Sequence, residues 1–184
     1  MEKYNIHRSE INTGDAILYY GHGFTSRGIR WADKAYYSHV GIAYWIEEGD
    51  TKRLFTVDAW TNGVELVPIS RRMNIYDDFC VIRKKKIKKD NLRVALENIL
   101  NRVERDEAYG YWGLLKRLLK IKLGLAVSWI NKKNLPVCSD VAISFLKDLG
   151  CKSYENVSLP SPQDIRRYVD KYEVDVLFEK NITT

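Results

Sequence analysis

A change of hydrophobic period midway along the chain constrains the fold more than any other feature. Up to Ile82 the apolar residues fall in short runs rich in β-branched and aromatic side chains, bounded by glycine, asparagine and aspartate. These predict strands over Asp15–Tyr20, His39–Ile46, Arg53–Trp60 and Val64–Pro68, with a fifth around Phe79–Ile82. Asn62-Gly63 is a strong hairpin signal between the third and fourth. Between the first two strands, Thr25–Tyr37 reads as a loop with a short helical turn around Ile29-Arg30-Trp31. Then Leu92, Ala95, Leu96, Ile99, Leu100 and Val103 recur at helical spacing, with Asp90-Asn91 available as a cap. Trp112–Leu123 and Ser139–Leu149 are further helix candidates, the second ended by Gly150. Ser161 and Pro162 start a short helix toward Tyr168, and Val174–Phe178 predicts a last strand. Strands followed by helices indicate an α+β domain: a mainly antiparallel sheet of five to six strands with helices packed on one face. The 184 residues show no repeat or linker and suit a single domain over 1–184.

A hydrophobic fraction of 45% and an aromatic fraction of 12% exclude a mainly disordered chain. The formal net charge is +6, and much of the excess lies in Arg83-Lys84-Lys85-Lys86-Ile87-Lys88-Lys89. The plain reading of this run is a solvated connector; an anionic partner, such as a lipid surface, a wall polymer or a nucleic acid, is the alternative. No aromatic residue interleaves it, which disfavours a nucleic-acid groove. Three cysteines, Cys80, Cys138 and Cys151, form no close pairs, against both a disulfide framework and a cysteine-based zinc site. His7, His22 and His39 lack the i, i+4 spacing of a metalloprotease helix. Met1–Asn5 has no apolar signal core, and the apolar stretch Leu123–Ile130 falls short of the ~20 residues of a spanning helix. The chain reads as soluble and cytoplasmic.

Three residues suggest chemistry. Cys138 stands directly before an apolar helical run. There the positive end of the helix dipole and unpaired N–H groups favour a thiolate and stabilise an oxyanion. A free cysteine is also a common small core residue, and Cys80 and Cys151 read that way. His39 opens the second strand, followed by Val40-Gly41-Ile42, where glycine admits a close neighbour. It is placed to act as a base, though a strand-edge surface histidine looks the same; His22, between two glycines, has weaker support. A third polar group holds the imidazole in catalytic triads. Asp58, at the end of the strand beside that of His39, is one candidate, and Glu65 on the next hairpin arm is the other.

Read together, Gly14-Asp15-Ala16-Ile17-Leu18, Ser26-Arg27-Gly28-Ile29-Arg30, Ser38-His39-Val40-Gly41-Ile42, Val57-Asp58-Ala59 with Gly63-Val64, Cys138-Ser139-Asp140 with Leu149-Gly150, and Ser161-Pro162-Gln163-Asp164 form an ordered series. The series resembles the permuted NlpC/P60 proteins, papain-like cysteine hydrolases of the YiiX/YebB type related to lecithin–retinol acyltransferase. The resemblance spans Gly14 to Asp164. It implies a circularly permuted papain-like topology, in which the histidine strand precedes the cysteine helix. It also implies Cys138 as nucleophile, His39 as base and Asp58 as the third residue, although the family more often carries glutamate there. The implied chemistry is cleavage of an amide or peptide bond through an acyl-enzyme, with no metal or organic cofactor. The substrate is a peptide or other amide, peptidoglycan-type material included. The alternatives are a lipid-directed acyltransferase or thioesterase using the same residues, with weak membrane-surface contact through the basic run or the Trp112–Leu123 helix, and a non-catalytic binding module. From aromatic placement alone, Trp60 and Tyr109 are expected to wall the cleft and meet substrate.

Overall fold

The computed structural model describes residues 2–60, 62–108, 137–157, 161–170 and 172–179. Helix α1 (Glu2–His7) and a 3-10 turn (Arg8–Glu10) lead into β1 (Ala16–Tyr20) and α2 (Phe24–Asp33). Next come β2 (His39–Glu48), β3 (Thr51–Trp60), β4 (Gly63–Pro68), α3 (Ile69–Met73), β5 (Asp78–Lys84) and α4 (Lys89–Glu104). Beyond residue 136 follow α5 (Cys138–Asp148), a 3-10 turn (Lys152–Tyr154), α6 (Pro162–Arg167) and β6 (Val174–Leu177). The strands form one six-stranded antiparallel sheet in the order β4–β3–β2–β1–β5–β6. This is the α+β arrangement that the change of period predicts.

Both faces of the sheet are covered. On one, Leu18, Val40, Ile42 and Val57 pack under Ala95 and Ile99 of α4 and Val141 and Phe145 of α5. On the other, Ile17, Tyr19, Leu54 and Val81 pack under Tyr4 of α1, Ile11, and Ile69 and Met73 of α3. Burying one such aliphatic or Phe side chain contributes about 1.5–3 kcal/mol. Strands buried on both faces carry unbroken apolar runs, which is why Ala16–Tyr19 does not alternate with polar residues. The long helices α4 and α5 share one face as expected. The short α1 and α3, of 6 and 5 residues, add a thin cover on the other and span too few turns to show a helical period.

Local differences have physical causes. Residues 24–33 form a helix of 10 residues where the sequence suggested a loop with one turn. It starts at Gly23 with no side-chain cap and carries Gly28 inside, so both helix signals are weak. Helix α4 begins from Lys88 without a side-chain cap, and Asp90 lies inside its first turn, facing the dipole instead of capping it. Gly150 takes φ +80° just past α5, as expected. Ser161 caps α6: its Oγ accepts the Asp164 N–H at 3.2 Å while Asp164 Oδ2 accepts the Ser161 N–H at 2.9 Å. At the start of the basic run Arg83 pairs with the buried Asp15 at 2.6 Å, while Lys85 meets Asp175 at 3.2 Å on the surface. The expected Trp112–Leu123 helix and Tyr109 lie outside the described residues. Among those described, no helix is long and apolar enough to cross a membrane.

Candidate active site

Side chains alternate between faces along a strand. Val40 and Ile42 of β2 and Val57 and Ala59 of β3 face the α5 layer, so His39, Asp58 and Trp60 project from the opposite face. Cys138 belongs to the α5 layer. It meets the imidazole because His39 is the first residue of β2, where the sheet ends and α5 begins. Cys138, His39 and Asp58, distant in sequence, are thereby brought together.

His39 Nε2 lies 3.1 Å from Asp58 Oδ2. Burial opposes a charged ring at this position, but the neighbouring Cys138 and the Asp58 carboxylate outweigh it and push the His39 pKa up to about 9. Burial likewise opposes the Asp58 charge, and His39 and Arg72 outweigh it, so the carboxyl stays below its ordinary range. Asp58 is fully buried, and Cys138 and His39 are each 5% exposed. Although the His39–Asp58 distance suits an ion pair, the ring N–H is not aimed at the oxygen well enough for a hydrogen bond.

Arg72 holds the carboxylate from behind. The β3–β4 register sets Asp58 directly opposite Glu65, a pairing of like charges that is unfavourable by itself. Arg72, from α3, lies between them and is 1% exposed. Its Nε donates to Asp58 Oδ2 at 2.9 Å and its Nη2 to Asp58 Oδ1 at 2.7 Å, and Nη2 also donates to Glu65 Oε1. Glu65, the competing candidate for orienting the histidine, thus pairs with Arg72. The guanidinium also rests 4.5 Å over the Trp60 ring.

Aromatic rings enclose the imidazole. Tyr76 stacks on it at 5.5 Å and 7°, Trp60 meets it edge-on at 5.0 Å, and Tyr19 lies tilted at 5.7 Å. Trp60, expected to wall the cleft, therefore walls the histidine itself. Gly41 supplies room: a Cβ there would come within 2.2 Å of Thr56 Oγ1 and 3.1 Å of Asp58 Cβ. At the helix start, Asp140 Oδ2 accepts the Val137 N–H at 3.1 Å, half of a capping box that fixes the entry into α5. Gln163 Oε1 accepts N–H groups from Tyr36 and Tyr37 at 2.8 and 3.3 Å, tethering the segment that leads into His39.

The other candidates fall elsewhere. His22 is exposed beside Asp77, and His7 pairs with Glu10. Burial pushes the Cys80 thiol up to about 12 and that of Cys151 up to about 11, as suits core residues. Arg72, Tyr76 and Tyr19 were not foreseen. The hairpin signal gives no clue to Arg72: with Asn62-Gly63 as the turn pair Asp58 would face Val67, whereas the strands pair Trp60 with Gly63 and so set Asp58 opposite Glu65.

Neither a family model nor a curated protein matches this chain. A solved structure does: that of metalloprotein yiiX from Escherichia coli O157:H7, DUF1105, at 15% sequence identity and a TM-score of 0.51. The match covers 92% of this chain and 97% of that one. The two share a fold. At that identity the likeness speaks for the α+β architecture and is consistent with the YiiX-type resemblance of the sequence.

Proposed function

We propose that the chain is a cysteine-dependent hydrolase of the permuted NlpC/P60 kind, cleaving an amide or peptide bond through an acyl-enzyme on Cys138. The observation that carries this reading is the placement of His39, at the start of β2, between Cys138 at the start of α5 and Asp58 of β3, with Nε2 3.1 Å from Asp58 Oδ2. His39 takes the thiol proton, which leaves the negative charge on sulfur. The thiolate attacks the substrate carbonyl, and the oxyanion forms at the N-terminus of α5. The Asp140 N–H is bonded to Val137 O and so is not free for that charge. His39 then protonates the leaving nitrogen as the C–N bond breaks, giving a thioester. The neutral imidazole next takes a proton from water. Attack of the resulting hydroxide on the thioester expels the thiolate and restores the pair. Asp58 stabilises the imidazolium throughout. Trp60, beside the ring, contributes to the substrate wall.

The protein of similar fold is described as a metalloprotein. The donor set here does not fit a metal ion: both Asp58 oxygens accept from Arg72, whose guanidinium is already the cation in contact with the carboxylate. Among the described residues no group of three or more His, Cys, Asp or Glu side chains is arranged to hold one. No step is therefore routed through a metal.

Trapping the acyl-enzyme tests the proposal. Incubation with an activated ester or amide, followed by intact-mass and peptide analysis, is expected to place one acyl group on Cys138. The adduct is expected to be absent from Cys138→Ala, with the fold retained by circular dichroism. Acylation of Cys138→Ala at the native level, or no adduct on Cys138 across a panel of peptide, peptidoglycan-fragment and lipid-ester substrates, refutes it.

A further inference from the structure

We infer that Arg72 is a positioning residue of this site: by gripping both oxygens of Asp58 it fixes the carboxylate beside His39, and through it the angle at which the imidazole meets Cys138. The inference rests on the proposed catalytic reading and adds to it a residue that touches neither the thiol nor the ring.

Four observations carry it. Arg72 is buried, which is costly for a cation unless every contact is specific, and its contacts are a two-pronged grip on Asp58 plus one bond to Glu65. Asp58 Oδ2 is shared: it accepts from Arg72 Nε at 2.9 Å and lies 3.1 Å from His39 Nε2. With its plane set by the guanidinium, the carboxylate cannot turn to receive the ring N–H along its axis, which accounts for the misaligned His39–Asp58 contact. Finally, Arg72 reaches the imidazole by a second route, lying over the Trp60 ring whose edge abuts His39. The charged and titratable groups around the ring are Cys138 from α5, Asp58 from β3, Tyr19 from β1 and Tyr76 after α3, with Arg72 behind Asp58. Arg72 therefore makes Asp58 a fixed charge at a set distance, in place of a freely turning hydrogen-bond acceptor. Lysine supplies the charge without the planar fork.

The test uses the full chain and two readouts: the NMR titration midpoint of the His39 ring and the rate of Cys138 alkylation by iodoacetamide. Arg72→Lys is expected to remain folded, to raise the His39 midpoint as Asp58 turns toward the ring, and to slow alkylation by about 10²-fold, the usual consequence of a small misplacement. Glu65→Gln, at a partly exposed position, is expected to move both readouts in the same direction by less. In the Asp58→Asn background, Arg72→Lys is expected to have a much smaller effect, limited to the route through Trp60, because Arg72 acts mainly through Asp58. A wild-type midpoint and rate in Arg72→Lys overturn the inference, as do losses that simply multiply in the double variant. The two ideas fail separately: a Cys138 that never acylates sinks the catalytic reading, while the response of the His39 midpoint to Arg72 still decides the positioning role.

Discussion

At the scale of single residues, the site rests on charges that are stable only in one another's company. Asp58 and Arg72 are both buried, and removing one partner of such a pair leaves an uncompensated charge. Asp58→Asn should therefore destabilise the fold by about 3–5 kcal/mol, less whatever Glu65 recovers by holding Arg72 alone, as read from urea unfolding. The pH dependence has a definite sign. Because the folded-state pKa of Asp58 is depressed, its stabilisation is fully present above the ordinary carboxylate value of about 4 and is lost as pH falls through the lower folded value. Melting curves from neutral pH into acid should fall more steeply for the native chain than for Asp58→Asn; parallel curves would contradict this. Gly41 belongs to the same cluster. An added methyl forces the Thr56 hydroxyl aside and presses on Asp58 Cβ, which is anchored to the backbone. Gly41→Ala should cost about 1–3 kcal/mol and slow Cys138 alkylation. Native stability with native reactivity in that variant would show that the space is not needed.

At the scale of elements, the site joins the end of one strand to the start of one helix, and a third element holds the strand's approach. The Gln163 carboxamide, in the first turn of α6, accepts the N–H groups of Tyr36 and Tyr37 just before His39. Gln163→Leu removes that acceptor at a cost of about 1 kcal/mol and should speed amide exchange at Tyr36 and Tyr37 while β2 beyond Ile42 stays protected. Unchanged exchange at those amides would mean that the tether carries no load. The sequence made much of this arrangement legible. The strands and α4 and α5 announce themselves because long elements repeat their period several times, and Cys138 and His39 stand at boundaries visible as changes of pattern. Helices α2 and α3 were hidden, one by an internal glycine and an uncapped start, the other by its shortness. Arg72 was hidden for a deeper reason. Its role depends on α3 folding back over the sheet, a tertiary event that no local pattern encodes, and in sequence it looks like one of two surface arginines.

At the scale of the whole molecule, the sheet is a wall with a core on each side, and the candidate site lies at its end, where the two layers meet. Cys138 comes from the α5 layer, while Asp58, Arg72 and the enclosing aromatics come from the other. The strand that carries His39 precedes the cysteine helix, so reactivity at Cys138 reports on correct assembly of both halves of the chain. The three thiols provide an internal comparison, since burial holds Cys80 and Cys151 at about 12 and about 11 with no histidine beside them. The most direct measurement is the rate of iodoacetamide labelling of each cysteine between pH 6 and 10, read by peptide mass spectrometry in the native chain and in His39→Gln. The account predicts that Cys138 is labelled well ahead of the other two at neutral pH. It predicts a loss on the order of 10²-fold in His39→Gln, a difference that closes as pH passes about 9 and the imidazolium is lost. Labelling of Cys138 no faster than Cys80 or Cys151, or at the same rate without His39, would contradict it.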